Sequence, residues 1–184
     1  MMPKIVILFS GSGSNLCYIL ENMHKKSVEV VASITNNPNA GGIEYANRFN
    51  IPVTVIDHTK YSSREDFDKE LVKEIQKYNP NLTVLAGFMR ILTPIFTQNI
   101  KAINLHPSLL PRNKGLNAIK RSFEDEFDDG GVTIHYVTEE LDSGDIIIQK
   151  SISKDGLNYS EYYNKIREIE KEALKFGILK SLGI

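Results

Sequence analysis

Residues 5 to 15 read Ile5-Val-Ile-Leu-Phe-Ser-Gly-Ser-Gly-Ser-Asn15, an apolar run followed by a loop with two glycines. A short apolar run that ends in turn residues is typical of a strand buried on both faces of a parallel sheet. The residues after the loop have a helical pattern that continues to Lys25. The segment is therefore predicted to be the first strand and loop of a strand–helix–strand unit.

The same alternation continues along most of the chain. Strands are predicted at five apolar runs: Ile5–Phe9, Val28–Ile34, Val53–Ile56, Leu82–Ala86 and Ala102–Leu105. Helices are predicted between them: Asn15–Lys25, Gly42–Phe49, Ser63–Tyr78 and Thr93–Asn99. Because strand–helix–strand connections are right-handed, this spacing predicts an α/β fold with a doubly wound, mostly parallel sheet and helices on both faces.

The third helix has the clearest pattern. Phe67, Leu71 and Ile75 form an i, i+4, i+8 apolar stripe. Ser62 and Glu65 have the spacing of a capping box, which predicts where this helix begins.

The pattern changes after about residue 130. Val132–Val137 and Ile146–Ile152 are predicted as added C-terminal strands, and antiparallel pairing is left open. A long final helix is predicted at roughly Ser160–Leu182. Because no linker or repeat interrupts the chain, residues 1–184 are predicted to form a single domain. In such sheets ligands bind at the carboxyl ends of the strands.

The bulk composition excludes several functions. The net charge of -1 offers no long-range attraction to nucleic acid or to an anionic membrane. The apolar run at the N-terminus is too short to span a bilayer and lacks the features of a signal peptide, so a cytoplasmic location is predicted. The one cysteine, Cys17, excludes an internal disulfide and is predicted to be a buried, inert thiol. The four histidines show no metal-ligand spacing, and no metal is predicted.

The loop Ser10–Asn15 is a candidate phosphate site. Glycines let a backbone approach a ligand closely, and the N–H groups at a helix start favour an anion. No third glycine and no Lys-Ser/Thr pair follows, which disfavours a dinucleotide or a nucleoside triphosphate. A single phosphate monoester fits better, and a simple strand-to-helix turn is the alternative.

Asn104, His106 and Asp142 are candidates for chemistry. Asn104 and His106 lie two residues apart near a strand end, so their side chains point the same way. An amide beside an imidazole suits stabilisation of an oxyanion and transfer of a proton, although a structural histidine is the alternative. Asp142 lies in a loop, where a carboxylate can orient a histidine or simply form a turn.

Four motifs occur together in this chain: Gly11-x-Gly-Ser-Asn15, Leu85-Ala-Gly-Phe-Met-Arg-Ile-Leu92, Asn104-Leu-His-Pro-Ser-Leu-Leu-Pro111 and Glu140-Leu-Asp-Ser-Gly144. They resemble the formyltransferase family, and in particular its folate-dependent phosphoribosylglycinamide formyltransferases (glycinamide ribonucleotide transformylases). The third motif alone indicates only the wider family. The resemblance implies a formyltransferase fold and transfer of the formyl group of 10-formyltetrahydrofolate, the co-substrate, to the amine of glycinamide ribonucleotide in purine biosynthesis.

The resemblance also implies residue roles. Asn104, His106 and Asp142 match the catalytic trio, and Thr133 matches a threonine that supports it. The residues that match the glycinamide ribonucleotide site are Gly13, Ser14, Asn15 and Glu170. The residues that match the folate site are Arg64, Met89, Arg90, Ile91, Leu92, Asn104, Thr138, Glu139, Glu140, Leu141 and Asp142. Asp145 and Lys171 depart from the family pattern, which has proline and histidine there.

Some of these residues have simpler interpretations. Arg64 could be a solvated residue of the first helical turn, and Met89, Ile91 and Leu92 could be core residues. Glu170 is more informative, because it lies on an apolar stripe where a carboxylate needs a partner.

The mechanism implied has three parts. Asn104 donates a hydrogen bond to the formyl oxygen, and a protonated His106 stabilises the developing charge. Asp142 raises the pKa of His106 and helps to carry the proton from the attacking amine to N10 of the folate.

Three other functions are alternatives for this chain. A methionyl-tRNA formyltransferase would need a further C-terminal domain and a more basic chain, and a formyltetrahydrofolate hydrolase would need a regulatory N-terminal domain. A nucleotide-binding module without catalysis would not need the trio. The predicted partners are small molecules, with neither nucleic acid nor membrane, and the chain is predicted to be a monomer or homodimer.

Overall fold

The computed structural model describes all 184 residues. The strands are β1 (Lys4–Phe9), β2 (Glu29–Thr35), β3 (Val53–Val55), β4 (Leu82–Leu85), β5 (Ala102–His106), β6 (Asp129–Tyr136) and β7 (Ile146–Ser153). The helices are α1 (Ser14–Asn22), α2 (Gly42–Arg48), α3 (Arg64–Gln76), α4 (Pro94–Thr97), α5 (Ala118–Glu124) and α6 (Tyr159–Leu182). The strand order in the sheet is β3-β2-β1-β4-β5-β6-β7. The chain divides into two compact units, Met1–Ile103 and Asn104–Ile184.

The first unit contains the parallel strands β1 to β4. β1 pairs with β2 on one side and with β4 on the other, and β3 pairs with β2. Because the strand order reverses at β1 and the connections are right-handed, α1 and α2 lie on one face and α3 on the other. Accordingly, α1 packs against α2, and α3 packs against α4. The predicted doubly wound arrangement is confirmed, and its switch point lies between the carboxyl ends of β1 and β4.

The apolar sequence of β1 explains its central place. All five residues of Ile5–Phe9 are completely buried, as a strand covered on both faces requires. The stripe of α3 is also buried as predicted, but the helix begins one residue later than the Ser62–Glu65 spacing suggests. Ser63 is the N-cap: it has extended backbone angles, and its hydroxyl accepts the Asp66 N–H at 3.0 Å.

The second unit contains the antiparallel pair β6–β7, which answers the question of pairing left open by the sequence. α6 packs against both strands. Gly177 permits this close approach, because a Cβ there would lie 2.6 Å from a methyl carbon of Ile134. The long helix begins with a capping box between Asn158 and Glu161 and ends at Gly183, whose φ is 71°. No helix in the chain is both long and apolar enough to cross a membrane.

Two local predictions were wrong. The helix α5 was missed, because it is short and follows two residues in left-handed conformations, Gly115 (φ 79°) and Asn117 (φ 57°), rather than a recognisable cap. Cys17 is half-buried, not buried. Its partial burial and the neighbouring Glu21 raise the pKa of its thiol, which agrees with the inert thiol that was predicted.

Candidate active site

The turn after β1 requires glycine at position 13. Gly13 is the N-cap of α1 with φ 77°, and a Cβ there would lie 2.3 Å from the Cα of Gly42. The turn is therefore pressed against the start of α2, and a side chain at position 13 would separate the two. Because Gly13 carries no capping side chain, the N–H groups of the first turn of α1 are arranged as in anion sites at helix starts.

The loops after β1 and β4 meet at the switch point of the first unit. The Ser10 N–H donates to the carbonyl of Gly87 at 3.0 Å, and the Met89 N–H donates to the hydroxyl of Ser10 at 2.8 Å. The structure thus brings the predicted phosphate loop next to the beginning of the predicted folate segment. These contacts lie entirely within the first unit.

The predicted folate segment divides into exposed and buried side chains. Met89 and Ile91 are 65% and 53% exposed, so they are not core residues, whereas Leu92 is buried. Arg90 lies over the ring of Phe67 at 5.7 Å from the ring centroid. The exposed apolar side chains are available to a planar apolar ligand. Arg64 is exposed in the first turn of α3.

Asn104 and His106 lie on β5 with side chains on the same face, as the strand period requires. Both belong to the second unit, and so does Asp142, which approaches each of them. The Asp142 Oδ2 atom lies 3.4 Å from His106 Nδ1, and Oδ1 lies 3.5 Å from the amide nitrogen of Asn104. The three residues therefore converge although they are up to 38 positions apart in sequence.

The backbone around Asp142 explains how its carboxylate is held. Asp142 has a φ of 52°, in the left-handed region that Asp and Asn tolerate best among side-chain-bearing residues. Its Oδ2 accepts the Gly115 N–H at 2.8 Å. Burial alone would raise the pKa of Asp142, but the neighbouring His135 ring, the hydrogen bond from the Gly115 N–H and the charges that His106 and His135 carry when protonated outweigh it and lower the pKa. The carboxyl is therefore ionised at neutral pH.

His106 is held by both ring nitrogens. Its Nε2 lies 2.9 Å from the carbonyl oxygen of Asn113, which can only accept, so Nε2 carries the proton. Burial is the largest influence on this ring and lowers its pKa, while the Asn113 carbonyl and the Asp142 charge oppose it without reversing it. A protonated His106 stays a prediction. The carboxylate acts in the expected direction, but the loss of water around the ring has the larger effect.

The amide of Asn104 is already engaged in the structure. Its nitrogen lies 3.2 Å from His135 Nε2, and the longer contact to Asp142 was given above. Since both amide hydrogens face these neighbours, Asn104 can donate to a substrate oxygen only by releasing one of them. The 3.5 Å contact to Asp142 is the weaker of the two.

Thr133 organises the chain that follows β5. Its hydroxyl donates to the carbonyl of Ser108 at 2.7 Å and accepts the Leu110 N–H at 3.0 Å and the Gln149 amide at 2.9 Å. Thr133 is fully buried, and all these partners lie in the second unit. It holds the segment after His106 in place without contacting the trio.

The residues from Thr138 to Leu141 form an exposed part of the loop between β6 and β7. Lys114 contacts this loop through Glu140, at 3.5 Å, and through the hydroxyl of Ser143. Asp145, which replaces the proline of the family pattern, is exposed, and its carbonyl accepts the Tyr136 N–H at 3.0 Å. The replacement therefore leaves the hairpin intact.

Glu170 is 2% exposed on α6, as its place on the apolar stripe predicts. Its carboxylate forms an ion pair of 2.6 Å with Arg167, one helical turn earlier. The buried carboxylate thus has the charged partner that it needs. Lys171, the other departure from the family pattern, is half-buried next to it.

A family model described as formyl transferase matches residues 3–176. The chain belongs to the formyl transferase family. Among curated relatives it is 39% identical over 153 residues to phosphoribosylglycinamide formyltransferase of Escherichia coli K12, which covers 81% of this chain and 72% of that protein. It is 41% identical over 155 residues to the trifunctional purine biosynthetic protein adenosine-3 of Chironomus tentans, which covers 81% of this chain but only 11% of that protein.

A solved structure resembles this formyl transferase closely. The phosphoribosylglycinamide formyltransferase of Campylobacter jejuni superposes with a TM-score of 0.96 and 49% identity, over 98% of this chain and 97% of that one. The formyltransferase fold predicted from the sequence is confirmed.

Two residues of the site in this formyl transferase, His135 and Asn113, were not predicted from the sequence. His135 is 2% exposed on β6, and its Nε2 accepts from Asn104 and lies 3.6 Å from Asp142 Oδ1. Its Nδ1 lies 2.9 Å from the carbonyl of Tyr136, so Nδ1 carries the proton. Asn113 acts through its backbone carbonyl. The only available signal was that His135 and Thr133 share a strand face.

Proposed function

We propose that this formyl transferase moves the formyl group of 10-formyltetrahydrofolate to the amine of N1-(5-phospho-D-ribosyl)glycinamide. The products are formylglycinamide ribonucleotide and tetrahydrofolate, in purine biosynthesis. The observation that carries the proposal is the approach of His106 and Asp142, with Asn104 beside the same carboxylate. The matched relatives named phosphoribosylglycinamide formyltransferase support the choice of substrate.

The chemistry proposed for the pair is general base catalysis. Asp142 is ionised at neutral pH, and the Nε2–H of His106 is directed at the Asn113 carbonyl. Nδ1 faces the Asp142 carboxylate, and we assign to this pair the acceptance of one proton. When the substrate amine attacks the formyl carbon, the amine proton passes to this pair.

The proton that the amine loses is the one that the folate takes up, so no other reactant is needed. Attack forms the new C–N bond and leaves negative charge on the formyl oxygen and positive charge on the amine. Proton transfer to the pair creates an imidazolium beside the oxyanion, and its charge is stabilised by Asp142. Collapse of the intermediate breaks the bond to N10 of the folate, and N10 takes the proton.

Asn104 is proposed to stabilise the oxyanion by donating one amide hydrogen. The hydrogen now directed at Asp142 is the one proposed to turn toward the formyl oxygen, because its contact of 3.5 Å is long. Thr133 is proposed to support the site by holding the segment after His106.

The remaining assignments are proposals for binding. The phosphate of the ribonucleotide is assigned to Gly13, Ser14 and Asn15, and its glycinamide part to Glu170. The folate is assigned to Arg64, to Met89–Leu92 and to Thr138–Asp142. Residues 1–184 are treated as one formyltransferase domain. A mechanism without metal, a cytoplasmic location and a monomeric or homodimeric state stay predictions.

The test is a two-substrate assay. The protein is mixed with glycinamide ribonucleotide and a 10-formyl folate, and the absorbance of the folate is followed. We expect a spectral change only when both substrates are present, and none when either is omitted or when methionyl-tRNA replaces the ribonucleotide. No change with the complete mixture would contradict the proposed function.

A further inference from the structure

The segment Met89–Leu92, which is assigned to the folate, forms neither helix nor strand. The backbone N–H at its start and the one directly after its end both bond to side chains from other parts of the first unit. The Met89 N–H donates to the hydroxyl of Ser10 at 2.8 Å, and the Thr93 N–H donates to the carboxylate of Asp68 at 2.6 Å. The segment thus has a side-chain anchor at each end, and the family resemblance assigns neither anchor a role.

The hydroxyl of Ser10 is held in one orientation. Ser10 lies directly after β1 and is 9% exposed, and its hydroxyl donates to the side-chain oxygen of Asn36, which is also buried. A hydroxyl has one hydrogen, so this bond leaves the lone pairs of the oxygen for the Met89 N–H. The backbone N–H of Ser10 bonds separately to the Gly87 carbonyl. The loops after β1 and β4 therefore keep this contact when only the hydroxyl is removed.

Asp68 is a buried carboxylate on the apolar side of α3. It is completely buried beside Phe67, the first residue of the apolar stripe, where a carboxylate needs partners. The N–H and the hydroxyl of Thr93 converge on its Oδ2 at 2.6 and 2.7 Å, while Oδ1 has no hydrogen-bond partner in the protein. The hydrogen bonds of this buried carboxylate therefore all go to the residue that follows the segment.

Thr93 uses its hydroxyl in an unusual way for its position. It is the N-cap of α4, where a threonine hydroxyl usually accepts an N–H of the first helical turn. Here the hydroxyl makes no such bond and donates to Asp68 instead. The bond to α3 thus replaces a local capping bond, and it fixes the place at which the chain leaves the segment.

Exposed and buried side chains follow each other between the two anchors. Met89 and Ile91 are exposed and Leu92 is buried. Just before the segment, Phe88 stacks on Phe67 of α3 with 6.4 Å between the ring centroids. Ordering a mobile segment on binding costs affinity, so exposed apolar side chains serve a ligand best when their backbone is already fixed.

We propose that Ser10 and Asp68 are positioning residues of the folate site: they fix the two ends of the segment Met89–Leu92, so that its exposed apolar side chains are in place before the folate binds. The consequence for folate binding rests on the proposed function. The consequence for the backbone of the segment does not.

The test uses two variants that each remove one anchor, and one conservative rescue. Ser10→Ala removes the hydroxyl at the start of the segment, and Asp68→Ala removes the carboxylate at its end. The stacking of Phe88 keeps the segment next to α3 in both variants. Asp68→Asn is the rescue, because its amide oxygen can still accept from Thr93.

Two control variants remove similar groups elsewhere in the first unit. Ser33→Ala removes another buried serine hydroxyl, on β2, which contacts the Pro52 carbonyl at 3.4 Å. Asp66→Ala removes an exposed carboxylate of α3, which pairs with Lys69 at 3.1 Å. These contacts lie outside the segment Met89–Leu92, so the controls report the general cost of losing a hydroxyl or a carboxylate.

The primary measurement is hydrogen exchange of the Met89 and Thr93 amides, followed by NMR in the protein without ligand. We expect Ser10→Ala to speed exchange at Met89 and Asp68→Ala to speed it at Thr93, each about tenfold, because the amide loses its acceptor. Asp68→Asn is expected to stay within about threefold of the wild type, since a neutral acceptor is weaker than a charged one but still present. Both controls are expected to exchange like the wild type.

The second measurement is the affinity for 10-formylfolate and for glycinamide ribonucleotide by calorimetric titration. We expect the Kd of the folate to rise about tenfold in both anchor variants, with that of the ribonucleotide nearly unchanged. In the transfer assay the KM for the folate rises accordingly, and kcat stays nearly the same. A merely structural role would instead lower the active fraction of the enzyme, which reduces kcat and leaves both KM values unchanged.

The outcomes separate this inference from the proposed function. If neither amide exchanges faster in its own anchor variant, or if exchange rises while the Kd of the folate stays at the wild-type value, the inference is wrong. An equal loss of folate affinity in Ser33→Ala or Asp66→Ala would also overturn it. If the amides respond as expected but the wild type binds no 10-formylfolate, the anchoring of the segment stands and the proposed function fails.

Discussion

Asp142 combines a buried carboxylate with a backbone conformation that few residues adopt. Its φ of 52° means that alanine at this position would add backbone strain to the loss of charge. Asparagine tolerates the left-handed region, so Asp142→Asn changes the charge and basicity with little effect on the backbone. This substitution is therefore the sharpest probe of the proposed base pair.

We expect Asp142→Asn to lower kcat by about 10²- to 10⁴-fold, because the pair can no longer accept a proton, while a folate analogue still binds. The measurements are steady-state kinetics and calorimetric titration with the analogue. Asp145→Asn is the control, since Asp145 is an exposed carboxylate of the same loop. A kcat of Asp142→Asn close to that of the control would refute the role of the pair.

The lowered pKa of His106 has a consequence for stability. Its pKa in the folded protein lies below the ordinary value of 6.5, because burial disfavours the imidazolium. As the pH falls through 6.5, the unfolded chain therefore takes up the proton first, which stabilises the unfolded state. The contribution of this residue to the free energy of unfolding is complete above that pH and declines below it.

We expect the free energy of unfolding of the wild type to fall relative to that of His106→Gln as the pH is lowered from about 7.5 to about 5.5. Urea denaturation at a series of pH values gives both curves. Parallel curves would mean that the folded and unfolded states share one histidine pKa, and a wild-type curve that rises toward acid would mean that Asp142 dominates.

Two of the residues that matter at this scale were not visible in the sequence. His135 and Asn113 act through contacts to Asn104 and His106 that span 31 and 7 positions. Neither spacing follows from a strand or helix period, so no pattern could reveal them.

The N-terminus of α3 has two candidate capping residues, Ser62 and Ser63, and the structure shows that Ser63 is the N-cap. The sequence offers two adjacent serines, and the spacing to Glu65 favoured Ser62. In the structure Ser63 caps the helix through the Asp66 N–H, and Asp66 in turn accepts from the Ser63 hydroxyl at 2.8 Å. Ser62 makes only a 3.3 Å contact to the same carboxylate.

We expect Ser63→Ala to lower the free energy of unfolding by about 1 kcal/mol, because an N–H of the first turn loses its acceptor. Ser62→Ala, the matched control, is expected to change it by less than about 0.5 kcal/mol. Urea denaturation of each variant and of the wild type measures both changes in the free energy of unfolding. Equal losses of unfolding free energy in the two variants, or a larger loss for Ser62→Ala, would contradict the assignment of Ser63 as the N-cap.

Elements with a strong period or continuous apolar character were predicted well, whereas the helix α5 was not predicted. Each of the seven strands was predicted, and all except β6 to within one residue at each end, because buried runs have a clear boundary in composition. The start of β6 was placed three residues late, since its first residues, Asp129-Gly-Gly131, resemble a turn. The helix α5 has only seven residues and therefore shows hardly two turns of periodicity.

At the scale of the whole chain, the boundary between the two compact units lies within a strand. It falls between Ile103 and Asn104, and both residues belong to β5. The prediction of a single domain for residues 1–184 can therefore be tested through cooperativity.

We expect one unfolding transition in urea, with coincident curves from far-ultraviolet circular dichroism and tyrosine fluorescence. The fluorescence reports both units, because the chain has no tryptophan and its eight tyrosines divide equally, four on either side of the boundary. Two resolved transitions would show instead that the units unfold independently.

The sequence by itself determined the order of the elements, the parallel sheet with its switch point, the family resemblance and the identity of the candidate trio. These follow from patterns that are local in the chain: apolar runs, helical stripes and short motifs. Only the tertiary structure decided that Asp142 lies 3.4 Å from His106 Nδ1, that burial lowers the pKa of His106, and that the Asn113 carbonyl meets its other nitrogen. The physical reason is that a pKa and a tautomer depend on burial and on charges within a few ångströms, and those neighbours are brought together only by the folded chain.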